Sequence, residues 1–211
     1  MDLIVQIWPS LMSGLQTTLS LFAIVLIASL PLGIILGILR VFGPKWLQGL
    51  IGAYIYVMRG TPLMLQLMFV FFGLPFAGIS IARFPAALLA YILNYAAYFA
   101  EIFRGGIISV PDGQFEAIHV LKIGKIRGFR RIILPQVFRV VMPSVGNEVI
   151  SLVKDTSLVY VIGIGELLRA GQIAVNTYAT LVPFLAVGVL YLLVTGVVTF
   201  LLNKVEQRVE Y

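Results

Sequence analysis

Long uncharged apolar stretches dominate the chain and alternate with short polar connections. No charged residue occurs between Asp2 and Arg40, and four further apolar stretches follow. Because a membrane-crossing helix needs about 20 mostly apolar residues, the pattern predicts an all-α integral membrane protein with five transmembrane helices. The predicted spans cover about residues 17–39, 47–72, 84–103, 140–161 and 180–202.

Helix-breaking residues interrupt the first two stretches. A short interfacial piece is expected around residues 8–9, and Pro31 should kink the first span because proline removes a backbone donor. The second span contains Arg-Gly-Thr-Pro at residues 59–62. Thr61 suits an N-cap and Pro62 suits the first position of a new half-helix, whose free N–H groups could face a carboxylate. A simple proline kink is the alternative interpretation.

A basic polar segment at residues 112–136 separates the third and fourth spans. Because apolar stretches flank it on both sides, it is expected to form a loop with short helices held against one membrane face, where a soluble partner could dock. The whole chain is 60% hydrophobic and 11% charged, which leaves too little polar surface for a soluble globule. Its 211 residues therefore predict one transmembrane domain, 1–211, with no soluble domain.

Positive charge is distributed unequally between the two sides of the predicted spans. Eleven lysines and arginines fall on the side of the basic loop and two, Arg83 and Arg169, on the other. Cytoplasmic loops carry this excess, so the N-terminus is predicted outside and the C-terminus inside. The net charge of +6 is then explained by orientation and anionic lipid headgroups, without nucleic acid. The eleven are Arg40, Lys45, Arg104, Lys122, Lys125, Arg127, Arg130, Arg131, Arg139, Lys204 and Arg208.

The sequence lacks the residues that disulfides, metal sites and the common catalytic sites require. The chain has no cysteine and one histidine, His119, which excludes disulfides and thiol chemistry and leaves no metal-ligand cluster. It also contains no phosphate-binding Walker sequence and no nucleophile–base set. We therefore predict no catalytic site, no metal and no cofactor in this chain.

Polar residues inside the third and fourth spans are candidates for a transport path, because such groups are expensive in lipid. Asn94, Tyr98 and Glu101 are spaced i, i+4 and i+7 and share one helical face. Their alternative role is hydrogen bonding between helices. In the fourth span, Glu148 and Asp155 share a face.

Asn147 and Lys154 share the adjacent face of the fourth span, so this helix suits a zwitterionic substrate. A carboxylate can hold an ammonium group, and a lysine or backbone amides can hold a carboxylate. The alternative is an internal ion pair that stabilises packing.

The spacing within the basic segment resembles a known motif. The segment contains Glu116-Ala117 and, further on, Ile132-Ile-Leu134-Pro135. Fifteen residues separate Glu116 from Ile132. This resembles the EAA loop of ABC importer permeases, in which E-A-A, three residues, G and nine residues precede I-x-L-P. Further matches lie at Arg59–Pro62 with Gln66, at Asn94–Tyr98 with Glu101–Arg104, and at Asn147 with Lys154–Leu158. Together they resemble the polar amino acid branch, from about residue 14 to residue 206.

The resemblance implies the type I importer permease fold with a cytoplasmic coupling helix, in a coupling loop at about residues 105–136. It implies a bacterial cytoplasmic membrane, a second permease in a homo- or heterodimer, two ATPases that bind ATP and Mg²⁺, and an extracytoplasmic amino-acid-binding protein. The coupling residues are then Gln114, Glu116, Ala117, Ile118, Lys122 and Gly124. The substrate-path residues are Arg59, Gly60, Thr61, Pro62, Gln66, Asn94, Tyr98, Glu101, Asn147, Glu148, Lys154, Asp155, Thr156 and Ser157.

Two positions depart from the family pattern. Ile118 replaces the second alanine, and Lys122 stands at the glycine position. Because lysine adopts a positive φ only at a cost, a different local turn is expected, and a heterodimer with a more regular permease is one hypothesis. A secondary transporter or channel that uses the intramembrane acids is the alternative function. Basic, neutral polar and cystine-like substrates all stay open.

Overall fold

A computed structural model describes residues 2–210, so Met1 and Tyr211 of the predicted domain lie outside it. The described part of the chain is helical and contains no strand, which confirms the all-α prediction. Within residues 2–210, three helices are long and apolar enough to cross a membrane, and up to five crossings result if each of two bent helix pairs counts as one.

Helix α1 runs without a break from Asp2 to Phe42 and is about 62 Å long at 1.5 Å per residue. It passes through Pro9 and Pro31, so the prediction of a separate interfacial piece before the first span is wrong. Its apolar N-terminal part buries Ile7 and Leu11 in a small core. This packing stabilises the helical conformation around Pro9, where the local sequence favours a break.

The second predicted span is a broken helix. Helix α2 covers Lys45–Gly60, and helix α3 covers Leu63–Met68. A π-helical turn (Phe69–Gly73) and a 3₁₀ turn (Leu74–Ala77) continue α3, and the two parts meet at 104°. An angle this large exceeds a proline kink, so residues 59–62 separate two half-helices. The predicted cap is wrong by one residue, because Pro62 is the N-cap of α3 and Leu63 its first residue. Thr61 ends α2 instead, and its hydroxyl donates to the Val57 carbonyl at 2.8 Å.

Helix α4, Arg83–Ile108, packs closely along α1. Gly33 and Gly37 of α1 face it, and a Cβ on Gly37 would lie 2.8 Å from the carbonyl oxygen of Ala100. Only glycine permits this approach of two backbones. Phe99 of α4 is completely buried in the main core, which α1 and α4 share with the helix at residues 134–155.

The basic segment forms two short helices that lead into the membrane. Helix α5 covers Asp112–Val120, and helix α6 covers Lys125–Gly128. A π-helical turn (Phe129–Ile133) connects α6 to helix α7, Leu134–Asp155, which a 3₁₀ turn (Thr156–Ile162) extends. The expectation of a loop with short helices is therefore confirmed.

One helix was not predicted. Helix α8, Leu167–Tyr178, follows a left-handed turn at Gly163 (φ 79°) and is bent by 56° from the preceding helix. Glu166 is fully buried and caps α8, because its carboxylate accepts the backbone N–H groups of Leu168 and Arg169, each at 2.7 Å. Helix α9, Val182–Glu210, completes the described chain.

Candidate functional site

A cavity of about 620 Å³ opens beside the break between α2 and α3 and is bounded by α4 and α7. It gathers side chains from three separate predicted spans. Eight predicted path residues line it: Arg59, Gly60, Thr61, Pro62, Asn94, Tyr98, Glu148 and Asp155. Five further lining residues were not predicted: Leu63, Met64, Tyr95, Ser151 and Leu158.

The cavity lies about halfway along α4. Asn94 is eleven residues after Arg83 and ten before Arg104, and both arginines stand near the ends of the helix. At 1.5 Å per residue, each arginine is therefore about 15 to 17 Å away along the axis. The cavity is thus near the middle of α4, a helix that is long and apolar enough to cross a membrane.

Two carboxylates from α7 reach the cavity together. Glu148 and Asp155 were placed on one helical face by their spacing, and both line the cavity. The Asp155 carboxylate accepts a hydrogen bond from the Tyr95 hydroxyl at 2.7 Å, and its backbone carbonyl accepts one from Tyr91 at 2.6 Å. Asp155 is therefore held in position by α4, whereas Glu148 is half-buried and makes no such bond within the described residues.

Asn94 and Gln66 stabilise the helix break. Asn94 donates to the Met58 carbonyl (2.9 Å) and to the Gln66 side-chain oxygen (3.0 Å). Gln66 donates to the same Met58 carbonyl (2.9 Å) and to the Thr61 hydroxyl (2.7 Å). These bonds satisfy carbonyls that the break leaves without helical partners. Hydrogen bonding between helices, the alternative role, therefore accounts for the side-chain amides of Asn94 and Gln66. Asn94 also borders the cavity.

Arg59 is the cation of the cavity. Its guanidinium lies over the Tyr98 ring, 5.3 Å from the centroid, and 4.0 Å from the Glu101 carboxylate. Glu101 is bound more closely by Arg104, at 2.8 and 2.5 Å, and does not line the cavity. Arg104 therefore makes the shorter contacts to Glu101, and Arg59, which contacts Glu101 only at 4.0 Å, also lines the cavity.

The other predicted path residues lie elsewhere. Asn147 borders a separate notch between α7 and α9, and Lys154 is exposed on the outside of α7. Thr156 is buried and donates to the Val153 carbonyl at 2.6 Å, while Ser157 is half-buried and outside the cavity lining. Within residues 2–210, no group of three or more acidic, histidine or cysteine side chains is arranged for a metal ion.

The turn after α5 has the geometry that glycine would give. Lys122 has φ 53°, so the expectation of a different local turn is wrong. The Ile123 N–H bonds to the Ile118 carbonyl (3.0 Å) and the Lys122 N–H to the His119 carbonyl (3.1 Å), which is the Schellman pattern. Ile123 also packs onto the core that contains Ile118. These contacts offset the strain at Lys122.

Ile118, the other departure from the motif, fits into a space left by Gly128. It is 8% exposed, and a Cβ on Gly128 would lie 2.6 Å from its side chain. Phe42, at the end of α1, contacts both neighbouring segments, with ring centroids 5.6 Å from Phe129 and 6.3 Å from Phe115. Helix α5 is therefore fixed to the base of α7, whereas Gln114, Glu116 and Ala117 stay exposed on its outer side.

We expect Gly128→Ala to loosen α5, because the added methyl group overlaps Ile118. Overpacking of this kind costs about 1–3 kcal/mol, and the melting temperature of the purified protein should fall. Ile118→Ala removes a buried side chain and destabilises the protein by itself, so the double variant should lose less stability than the sum of the two single variants. Losses that simply add would contradict the fit, and Gly124→Ala, with open space at its Cβ position, is the matched control.

Comparison with known proteins identifies the family. The model of the family described as "binding-protein-dependent transport system inner membrane component" matches residues 29–211. The glutamine transport system permease protein of Escherichia coli strain K12 is 38% identical, over 97% of this chain and 96% of that protein. The arginine transport system permease protein of Bacillus subtilis strain 168 is 37% identical, over 96% and 93%. The L-cystine transport system permease protein of the same Bacillus subtilis strain is 34% identical, over 99% of this chain and 91% of that protein.

Solved structures agree with these relatives. A crystal structure of an amino acid ABC transporter with histidines superposes with a TM-score of 0.88 at 32% identity, over 97% of this chain and 96% of that chain. The methionine ABC transporter MetNI in an inward-facing conformation has a TM-score of 0.71 at 21% identity, over 99% and 97%, and supports the fold alone. The chain belongs to the inner-membrane components of binding-protein-dependent transport systems, in the polar amino acid branch of the ABC importer permeases.

Proposed function

We propose that this chain forms half of the path by which an ATP-driven importer moves polar amino acids across the bacterial inner membrane. The observation that carries the proposal is the mid-membrane cavity, which combines the Glu148 and Asp155 carboxylates with the Arg59 guanidinium. A zwitterion needs both signs of charge. The two acids suit its ammonium group, and Arg59 suits its carboxylate through charge-assisted hydrogen bonds.

Alternating access between the two membrane faces follows from a site near the midplane beside a broken helix. We propose five spans, with each bent pair (α2 with α3, α7 with α8) crossing once, the N-terminus outside and the C-terminus inside. Residues 1–211 then form one transmembrane domain with its coupling loop at about 105–136. Helix α3, with six residues, contributes little dipole, so Arg59 takes the place of the predicted half-helix as the anion-binding group.

The exposed outer side of α5 is proposed to contact a cytoplasmic ATPase. Gln114, Glu116 and Ala117 are exposed there, the Lys122 turn follows the end of the helix, and Gly124 is the N-cap of α6. The assembly then contains two permeases, two ATPases and an extracytoplasmic binding protein. ATP and Mg²⁺ are bound by the ATPases, and this chain holds no cofactor. Permeases of this family are non-catalytic.

Reconstitution in lipid vesicles tests the function. The chain, its ATPase and its binding protein should take up labelled amino acid only when ATP and Mg²⁺ are enclosed on the ATPase side. A panel of arginine, glutamine and cystine, the substrates named for the relatives, would identify the preferred class. Uptake that follows a proton gradient without ATP would support the secondary transporter and overturn the importer.

A further inference from the structure

Glu101 lies between the cavity and the end of α4 that leads into the basic segment. Asn94 and Tyr98 line the cavity, and Glu101 follows them on the same helical face. Glu101 is about 10 Å further along the helix axis than Asn94. Its carboxylate does not line the cavity, so any part that it takes in transport has to act through a neighbouring group.

Two arginines approach the same oxygen of Glu101. Arg104 holds the carboxylate with two short hydrogen bonds, from Nε to Oε2 at 2.8 Å and from Nη2 to Oε1 at 2.5 Å. The Nη1 atom of Arg59 lies 4.0 Å from Oε1, which is too far for a hydrogen bond. Because each carboxylate oxygen can accept two bonds, Oε1 can accept one from Arg59 while Arg104 stays in place. Glu101 is therefore a second anionic partner within reach of Arg59.

Arg59 is held loosely enough to change partner. It stands in the last turn of α2, immediately before the 104° bend, and its side chain is 41% exposed. Its guanidinium lies over the Tyr98 ring, 5.3 Å from the centroid, and a cation–π contact at an exposed site is weak. Tyr98 thus supports the guanidinium at the edge of the cavity, 4.0 Å from Glu101.

We infer that Glu101 competes with the carboxylate of the bound amino acid for Arg59, and that this competition speeds release of the substrate from the cavity. The inference rests on the proposed function, in which Arg59 binds that carboxylate. When Arg59 turns to Glu101, its charge-assisted hydrogen bonds to the substrate are lost. Arg104 limits the competition, because its two bonds already offset part of the charge on Glu101. Glu101 and Arg104 are thus positioning residues for Arg59.

The remaining charges of the cavity strengthen this effect. Arg59 is the cation among the lining residues, and Glu148 and Asp155 are the acids. Once Arg59 has turned away, the substrate carboxylate faces these two acids without a counter-charge, and like charges repel. A transporter has to bind its cargo weakly enough to release it. Exchange of partners by Arg59 converts an attractive site for the carboxylate into a repulsive one.

Two measurements on the full importer test the inference, with whichever of labelled arginine, glutamine and cystine the unmodified complex takes up best. Equilibrium binding to the purified permease–ATPase complex, without binding protein, gives Kd, and ATP-driven uptake by vesicles at saturating binding protein gives kcat. Glu101→Gln removes the competing charge, so Kd should tighten by about three- to fivefold. Slower release should lower kcat by a similar factor. Glu101→Asp keeps the carboxylate and should lie closer to the unmodified complex in both values.

Arg104→Gln should change Kd in the opposite direction. It removes the group that holds Glu101, so Arg59 pairs more closely with Glu101 and the substrate binds more weakly. The double variant Glu101→Gln/Arg104→Gln removes both charges of the pair and should bind as tightly as Glu101→Gln. It also replaces the single variant if an uncompensated Arg104 prevents assembly. Glu206→Gln makes the same chemical change outside the central cavity and should leave Kd and kcat unchanged.

Weaker binding in both Glu101→Gln and Arg104→Gln, or an unchanged Kd in Glu101→Gln and in the double variant, would overturn the inference and assign the pair to packing. Arg59→Gln separates this result from a failure of the proposed function. Lost binding in Arg59→Gln with unchanged binding in Glu101→Gln removes the inference alone. Unchanged binding in Arg59→Gln would overturn the role of Arg59 in the proposed function as well.

Discussion

Glu116→Lys is expected to abolish binding of the ATPase while insertion of the chain into the membrane stays normal. Glu116 is exposed on the outer side of α5, and none of the ion pairs within residues 2–210 involves it. Disruption of a buried charge contact at an interface costs about 2–5 kcal/mol, so the affinity should fall by about 30-fold or more. Copurification of the ATPase with the tagged permease measures the loss.

A graded control accompanies this variant. Glu116→Gln removes the charge without reversing it and should weaken association less than Glu116→Lys. The amount of each variant in the membrane fraction shows whether it has been inserted. Normal complex yield and normal transport in Glu116→Lys would refute the docking role of α5.

Glu148→Gln is expected to lower amino acid uptake by about 10- to 100-fold without lowering expression. Hydrogen bonds to a charged group contribute about 1.5–3 kcal/mol, which corresponds to that range of affinity. Glu148 lines the cavity and makes no ion pair within residues 2–210, so its carboxylate is available to a substrate ammonium group. The initial rate of uptake in reconstituted vesicles is the measurement.

Glu206→Gln provides the comparison, because Glu206 borders the notch between α7 and α9, outside the central cavity. It makes the same chemical change and should leave uptake nearly intact. Unchanged kinetics in Glu148→Gln, or an equal loss in both variants, would assign Glu148 to packing rather than to the path.

The helical period predicted site residues best where two of them lie on the same helix. It placed Glu148 and Asp155 on the same face, and both reach the cavity. It could not reveal that Gln66 and Asn94 meet across two helices at the Met58 carbonyl, because this contact depends on the 104° bend. Tyr95 was missed for the same reason, since only the packed helices bring it to Asp155.

Predictions from the conformational preferences of single residues failed where tertiary packing outweighs those preferences. Lysine disfavours a positive φ, yet burial of Ile118 beside Gly128 and the bonds at Ile123 fix the turn at Lys122. In the same way, packing of the N-terminal part of α1 keeps it helical through Pro9. Helix α8 escaped prediction because the search for 20-residue apolar stretches overlooks a 12-residue helix capped by a glutamate.

In the proposed mechanism, the helical segment from Lys125 to Ile162 serves as a lever. Gly128, where α5 is fixed, is 20 residues before Glu148 and 27 before Asp155, so the two acids lie about 30 to 40 Å from the fulcrum. A tilt of about 10° at the base would then swing them by about 5 to 7 Å, the width of an amino acid backbone. Under the proposed function, small displacements of the ATPase at α5 would in this way be amplified at the cavity.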